Sequence, residues 1–392
     1  MEETQFDVIV IGGGVMGSST AYNAGKRGLK TLLLEQFDFL HHRGSSHGES
    51  RTIRVTYPQH HYYPLVMDSY TLWQEAQAQV GYQVYFPAHH FDMAPSHHPT
   101  MRSLLDYCRA HNIPFQLLRS PEVGQKFSGR INIPDDWVGL SNPHGGIIKP
   151  TKAVAMFQTL AFKNGAVLKD NTKVIDIKKS PEGGVVVLTA RGEKFRAKKC
   201  VVTAGAWASK LVKTVSGVEL PIEAVETHVS YWRIKEGQQG KFAVGSGFPT
   251  FASFGDIYIY GTPTLEFPDL IKVGVHGGKA CDPDKRPWGP GVMMEALKTW
   301  VEKSFMGLVH SSEPVMKQAC MYSMTPDEDF VIDFLGGEFG KDVIIGGGFS
   351  GHGFKMAPVI GRILVDLALH GDPNGVDISH FTIARFRTSS KL

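Results

Sequence analysis

Three groups of residues in this chain could do chemistry by their type and spacing. The first is Gly12-Gly13-Gly14-Val15-Met16-Gly17, a G-x-G-x-x-G run, with Glu35 lying 23 positions after Gly12. In such a run Gly12 permits a tight turn, Gly14 lets the backbone approach a pyrophosphate, and Gly17 allows helix and strand to pack closely; the acid accepts hydrogen bonds from a ribose and repels a 2′-phosphate. The second is the 342–354 stretch DVIIGGGFSGHGF, with five glycines in the nine residues 346–354, which presses backbone against something flat or anionic. Between these two cofactor signatures stands the third, Cys320 in Gln318-Ala319-Cys320-Met321-Tyr322, one of four cysteines and a thiol that could act as a nucleophile toward a bound cofactor. Arg51 and Arg54, three apart in a segment rich in small residues, add two guanidiniums that suit a carboxylate but equally suit a solvated surface.

The elements that must hold these residues are legible around them. Residues 6–11 (FDVIVI) form an apolar run suited to a central parallel strand, 18–26 a helix closed by Arg27-Gly28, and 31–34 a second strand ending at Glu35. The helix N-terminus carries about half a positive charge and favours phosphate. A hairpin over 185–191, turning at Gly192, leads into a buried strand at 199–205 (KCVVTAG) that should return beside the first sheet. Helical periodicity resumes at Met356 after the second glycine cluster. In the middle, 256–260 (DIYIY) puts Tyr258 and Tyr260 on one strand face. The run 270–276 (LIKVGVH) puts Lys272, Gly274 and His276 on another, the face that would otherwise read as solvent. These two strands and 242–244 follow one another without helices, as an antiparallel sheet would, and a proline-rich crossing at 282–290 leads to an amphipathic helix at 292–305.

A chain of 392 residues is long enough for two lobes, and 42% hydrophobic with 20% charged residues is ordinary for a globular protein. With 41 basic and 38 acidic residues, nothing calls for nucleic acid or an anionic membrane. No apolar run approaches the roughly 20 residues that span a bilayer, and the N-terminus runs straight into a strand, leaving no room for a signal peptide. Cys108, Cys200, Cys281 and Cys320 have neither paired nor metal-like spacing, which excludes a metal reading and favours a reducing interior. The final Ser390-Lys391-Leu392 is a peroxisomal address after a polar tail, implying an import receptor as partner.

On the N-terminal fingerprint, the 44–54 loop (GSSHGESRTIR), Cys320-Met321-Tyr322 and the 348–355 run (GFSGHGFK), the chain resembles the sarcosine oxidase family of amine oxidases over essentially its whole length, its details closest to plant members. The resemblance implies an α/β protein, α+β overall. Its FAD-binding Rossmann-like domain would be of the two-dinucleotide, D-amino-acid-oxidase-like kind, joined to a substrate domain on a mixed or antiparallel sheet. Residues 1–85, 141–215 and 310–392 would form the FAD lobe, and 86–140 and 216–309 the substrate lobe. FAD would be attached to Cys320 through an 8α-thioether. The implied cofactor contacts begin with Gly12, Gly14, Val15, Met16, Gly17, Glu35 and Gln36, and continue through Arg43, Ser46, His47, Ser50 and Arg51. Val174, Ala204, Gly205, Trp207 and Met321 follow, and the second glycine cluster adds Gly348, Phe349, Gly351, His352, Gly353, Phe354 and Lys355.

By the same resemblance, Arg54 and Lys355 grip the substrate carboxylate, Arg51 lies over the flavin ring, and His47 tunes it. Lys272 stands on the opposite flavin face and promotes reduction of O2, where a fixed cation stabilises developing superoxide. Tyr260, His276 and Tyr322 line the substrate cavity. Two departures stand out against bacterial members: Ser50 replaces a threonine and Thr262 an aromatic residue. The second is expected to enlarge the substrate cavity, which favours L-pipecolate over sarcosine. The implied activity is oxidation of a small secondary amino acid to an imine, with O2 reduced to hydrogen peroxide, by a monomer. The alternative is a flavin dehydrogenase or demethylase that hands electrons to a carrier.

Overall fold

The structure, a computed structural model, describes residues 5–285 and 293–386. Two sheets organise it. The first has eight strands whose spine runs Val331–Phe334, Val343–Gly347, Lys194–Val202, Gln5–Ile11, Thr31–Leu34, Val167–Lys169. Gln5–Ile11 is central and pairs in parallel on both sides, Val8 opposite Lys199 on one and opposite Thr31 on the other. That is why its 8–11 stretch (VIVI) is apolar throughout: both faces are covered there. The expected hairpin is present as Val185–Thr189 antiparallel to Lys194–Val202, and the late strand does return beside the first.

Three helices layer one face of this sheet. Val15–Lys26 packs against both Pro150–Lys163 and Ala357–His370. Val15–Lys26 has no charged residue before its last position and ten of its twelve residues are buried, so it is a core helix rather than an amphipathic one. It begins at Val15, three residues ahead of the expected start. Gly17 earns its place by close approach, since a Cβ there would lie 1.8 Å from the Gly12 carbonyl oxygen.

The second sheet has ten strands along Lys279–Ala280, Glu223–Arg233, Leu270–Val275, Tyr258–Thr262, Thr250–Phe254, Tyr85–Pro95, Trp137–Ile148, Arg51–Arg54, with Met316–Met324 and Gln116–Arg119 as branches. Its pairings are antiparallel except for Thr250–Phe254 on Tyr85–Pro95, so it is mixed as expected. Its outer face holds an aromatic core of Phe91, Phe127, Trp232, Phe242, Phe251 and Phe305, capped by Leu297 and Val301 of the helix Met294–Ser304.

Several expectations need correction. Residues 242–244 form no strand: Gln239–Phe242 is a 3-10 turn and Ala243 makes only an isolated bridge to Thr264, in a stretch broken by Gly237, Gly240, Gly245 and Gly247. The strand of that region is Thr250–Phe254, whose five residues are all buried, so no alternation betrayed it. The 256–260 strand begins at Tyr258 and runs to Thr262. Arg51 and Arg54 sit on a strand, not a loop. That strand, most of Trp137–Ile148, and the Cys320 strand Met316–Met324 all belong to the second sheet, although the expected division groups 1–85, 141–215 and 310–392 with the nucleotide lobe. Position 292, residues 286–290 of the proline-rich crossing, and Ser390-Lys391-Leu392 lie outside the described residues. Among the described residues, no helix is long and apolar enough to cross a membrane.

Candidate active site

One elongated cavity of about 830 Å³ runs between the two sheets, at the upper end of the size usual for small-molecule sites. It starts at the C-terminal end of Gln5–Ile11, where the chain turns through Gly12. Gly13 N–H donates to Glu35 Oε2 (2.7 Å), Phe37 N–H to Glu35 Oε1 (3.0 Å), and Val15 N–H to Ser46 Oγ (3.0 Å). Gly12, Gly14, Glu35, Gln36, Ser46, Val174, Ala204, Gly205 and Trp207 all line this end. The bare glycine turn at a buried helix N-terminus, an acid 5% exposed beyond it, and a slot continuing between the sheets fit the adenosine and pyrophosphate of FAD.

Midway, Cys320 faces the slot from the centre of Met316–Met324, opposite Thr227 in register and 8% exposed. Arg51 Nη2 lies 3.8 Å from its Sγ. That guanidinium is fixed by the carbonyls of Ser45 (2.9 Å), His47 (2.7 Å) and Ser50 (2.9 Å) and stands 5.7 Å from the Phe354 ring centre. Cys320 is thus distinguished from Cys108 and Cys200, buried away from the slot with burial pushing both thiols up, Cys108 to about 12. Beside Arg51, Lys272 is 3% exposed and donates to the Ser50 carbonyl at 2.6 Å. Burial, then Arg51, push its pKa down to about 7, with Glu49 and Cys320 partly opposing. Ser50 Oγ in turn lies 3.0 Å from Thr262 Oγ1, and Thr262 faces Lys272 in register.

Three residues from Arg51 along the strand, Arg54 points into a different environment. Its guanidinium sits 4.7 Å from the Tyr57 ring centre and bonds the Thr56 carbonyl. Burial works against its charge, yet Tyr258, Asp92 and Tyr57 hold it above its ordinary pKa. Asp92, fully buried, accepts from Thr56 Oγ1 (2.7 Å) and faces His90 Nε2 (3.0 Å); burial would raise it, but His90, Arg54 and Thr56 keep it below the usual carboxylate range. Lys355 donates to Tyr57 OH (2.9 Å) and the His352 carbonyl (2.8 Å), and burial followed by Arg54 holds it well below the ammonium range. With one buried carboxylate for two cations, the arrangement favours an anion: a ligand carboxylate would restore the Lys355 proton. His276 is pushed down to about 4 by burial, Arg54 and Lys355, and so stays neutral. Its ring lies tilted between those of Tyr258 (4.8 Å) and Tyr322 (5.4 Å), while Tyr260 OH reaches Tyr322 OH at 3.4 Å. Gly351 packs under this group at φ +77°, where a Cβ would lie 2.8 Å from the Tyr322 ring and 3.0 Å from His276.

The structure therefore gathers nearly every expected residue along one cavity, including Val15, Met16, His47, Met321, Phe349, His352, Gly353 and Phe354. Three fall elsewhere. Gly17 serves helix packing, Gly348 backs onto Thr325 and Ile222, and Arg43 turns outward over the Phe37 ring at 4.9 Å. Thr262 lines the cavity, with its Oγ1 against Ser50 Oγ and its Cα opposite Lys272, so the room left by its small side chain lies toward Lys272. Tyr57, Tyr258, Gln318 and Glu328 line the cavity and were missed, as were Asp92 and His90 behind Arg54. Tyr258 carried a signal in its alternation with Tyr260; Asp92 carried none, because its strand meets Arg54 only through the fold.

Comparison with known proteins agrees with this geometry. The family model described as FAD dependent oxidoreductase matches residues 7–367. The chain is 60% identical to a "probable sarcosine oxidase" of Arabidopsis thaliana, covering 100% of this chain and 95% of that protein. It is 34% identical to the "peroxisomal sarcosine oxidase" of Homo sapiens, over 98% and 97%. Among solved structures, L-proline dehydrogenase from P. horikoshii superposes with a TM-score of 0.82 at 22% identity, covering 98% of this chain and 99% of that one, a likeness of fold.

Proposed function

Because the chain belongs to the FAD dependent oxidoreductase family and within it to the sarcosine oxidases, we propose that its cavity takes small secondary amino acids, with sarcosine and L-pipecolate as the first candidates. As an enzyme it is an FAD-dependent oxidase of small amino acids acting on CH–NH donors. The observation that carries the substrate reading is the buried Arg54–Lys355 pair with a single buried carboxylate, Asp92, behind it. Arg54 and Lys355 anchor the substrate carboxylate. His276, neutral, and the tyrosines Tyr258, Tyr260 and Tyr322 close around the rest without adding charge, which favours the neutral amine as the reacting form. FAD held in the slot would supply the two-electron acceptor for C–N oxidation, with O2 as the terminal acceptor and hydrogen peroxide as the product. Lys272, its pKa lowered to about 7, stands beside the slot at the other pair, where its protonated form would attract the charge that develops on oxygen.

Sarcosine stands ahead of L-pipecolate because the relatives at 60% and 34% identity are named for it, while the room beside Thr262 lies toward Lys272. The test is a panel of N-methyl and cyclic amino acids assayed for peroxide. Turnover of primary amines in preference to both classes would overturn the secondary-amine reading.

Cys320 is our candidate for the flavin tether, supported by its place in the slot, with Arg51 Nη2 3.8 Å from its Sγ. Acid-precipitated protein should keep its yellow, and Cys320→Ser should release the flavin to the supernatant; colour lost from the wild type refutes the tether. We assign the chain to the peroxisome through Ser390-Lys391-Leu392, in keeping with the name of the human relative. A fluorescent fusion lacking these three residues should leave peroxisomes for the cytosol.

A further inference from the structure

Four carboxylates line the cavity among the described residues, and three of them are engaged. Glu35 holds the glycine turn, Asp284 is bonded by Trp207 and Lys210, and Asp329 by His61 and Tyr62. The fourth, Glu328, is different. Its Oε2 stands 4.0 Å from His276 Nε2, so it belongs to the substrate end, yet its side chain is 58% exposed where that of His276 is 17%. It is a carboxylate with one side on the cavity and the other on solvent.

The backbone is arranged to keep it there. Glu328 adopts φ +62°, a left-handed conformation that non-glycine residues seldom take without a reason. The turn around it is bolted from several directions. His352 Nε2 lies 3.0 Å from the Glu328 carbonyl, Thr325 Oγ1 donates to Asp329 O (2.6 Å), and Arg385 grips both Asp327 carboxylate oxygens (2.7 and 3.1 Å) and the Asp329 carbonyl (3.0 Å). The titratable groups around the carboxylate are Asp327 and Asp329 on its own turn, His276 and Tyr258 from the sheet, and His352 from the glycine segment. Arg54 and Lys355 lie deeper, and Arg385, His61 and His380 stand behind the turn.

We propose that Glu328 is the proton acceptor that converts the arriving zwitterionic amino acid into the neutral amine. This inference rests on the oxidase reading above. An amino acid reaches the cavity near neutral pH with its nitrogen protonated, and an ammonium nitrogen has no lone pair to support loss of electrons from the adjacent carbon. His276 and His352 are both held neutral by burial first, then by nearby cations, and His276 accepts a proton only near pH 4. Lys355 regains its proton as the substrate carboxylate docks beside it and Arg54 and is then a cation, so Glu328 is the remaining base with a path outward. One N–H bond of the ammonium breaks and an O–H bond forms on Glu328 Oε2; the carboxylic acid then returns that proton to water at its exposed side, and no electrons change hands. Burial, followed by Asp329, raises the Glu328 pKa, in the direction that makes it a better acceptor.

The experiment is anaerobic flavin bleaching by N-methyl amino acid from pH 6 to 10, comparing wild type with Glu328→Gln, which preserves shape and turn. The variant should bleach about ten-fold more slowly at pH 7 and converge on wild type by pH 10, where the amine arrives neutral. Imidazole added at pH 7 should restore the variant through the open side while leaving wild type unchanged. A wild-type-to-variant ratio that stays constant across pH, with no rescue, overturns the role of Glu328 and leaves the oxidase reading standing. Wild type that does not bleach at any pH refutes the oxidase reading itself.

Discussion

Two arginine–lysine pairs lie along one cavity, and their surroundings make them different instruments. Arg51 and Lys272 spend their hydrogen bonds on the carbonyls of Ser45, His47 and Ser50. Arg54 and Lys355 are backed by side chains that titrate or stack, namely Asp92, Tyr57 and Tyr258. The first pair is a fixed field next to Cys320, its geometry settled before any ligand arrives. The second is a demand for an anion, since two buried cations share one carboxylate and the lysine gives up its proton first. Residue type alone predicts the same role for both pairs; what separates them is the buried Asp92 and the tyrosines gathered around the second.

That separation can be broken by substitution. The largest effect is expected at Arg54→Met: kcat/KM for a carboxylate substrate should fall about 10³-fold, the equivalent of roughly 4 kcal/mol for a buried charge contact. Its melting temperature should also drop, because Asp92 loses its cation; stopped-flow reduction and a thermal scan measure the two. Next, Lys272→Met should slow reaction of the reduced enzyme with O2 by about 10²-fold while anaerobic reduction stays within about three-fold. Equal losses in both half-reactions would merge the two pairs into one site. A carrier-linked dehydrogenase would show no sensitivity of its reoxidation to Lys272. The smallest and sharpest test is Thr262→Phe. Bulk placed beside Ser50 and Lys272 should slow reoxidation by less than about ten-fold and leave affinity for a carboxylate inhibitor unchanged. A weakened inhibitor instead would move Thr262 back to the substrate end.

Much of this was legible before the structure, and for a physical reason. The Gly12–Gly17 turn, Glu35, and the 346–354 glycine cluster are each contiguous, so a local pattern contains the whole device. The parallel pairing of Gln5–Ile11 with Lys194–Val202 followed from two apolar runs, 8–11 and 200–202, that had nowhere else to be buried. What resisted was assembled by tertiary contact. Asp92 and His90 sit on a strand far from Arg54 in sequence, and nothing in their neighbourhood announces a counter-ion. Thr262 shares its strand face with Tyr260, as a two-residue spacing requires, but only the register with Lys272 and the contact with Ser50 show which end of the cavity it reaches. Arg51 and Arg54 looked like loop cations because Gly44, Ser45, Ser46 and Gly48 precede them, whereas pairing with Trp137–Ile148 makes them a strand.

Cys320 lies on the second sheet while the glycine turn lies on the first. A flavin cradled by one and bonded to the other would close a covalent and noncovalent ring through both halves of the molecule. The cofactor would then act as a mechanical cross-brace. The bond could form only after the two sheets had met around the flavin, so tethering would report correct assembly; once formed, it would limit how far the halves could part to admit substrate. Access would then fall to small movements at the rim, in the turn that Arg385 pins, rather than to a hinge between lobes.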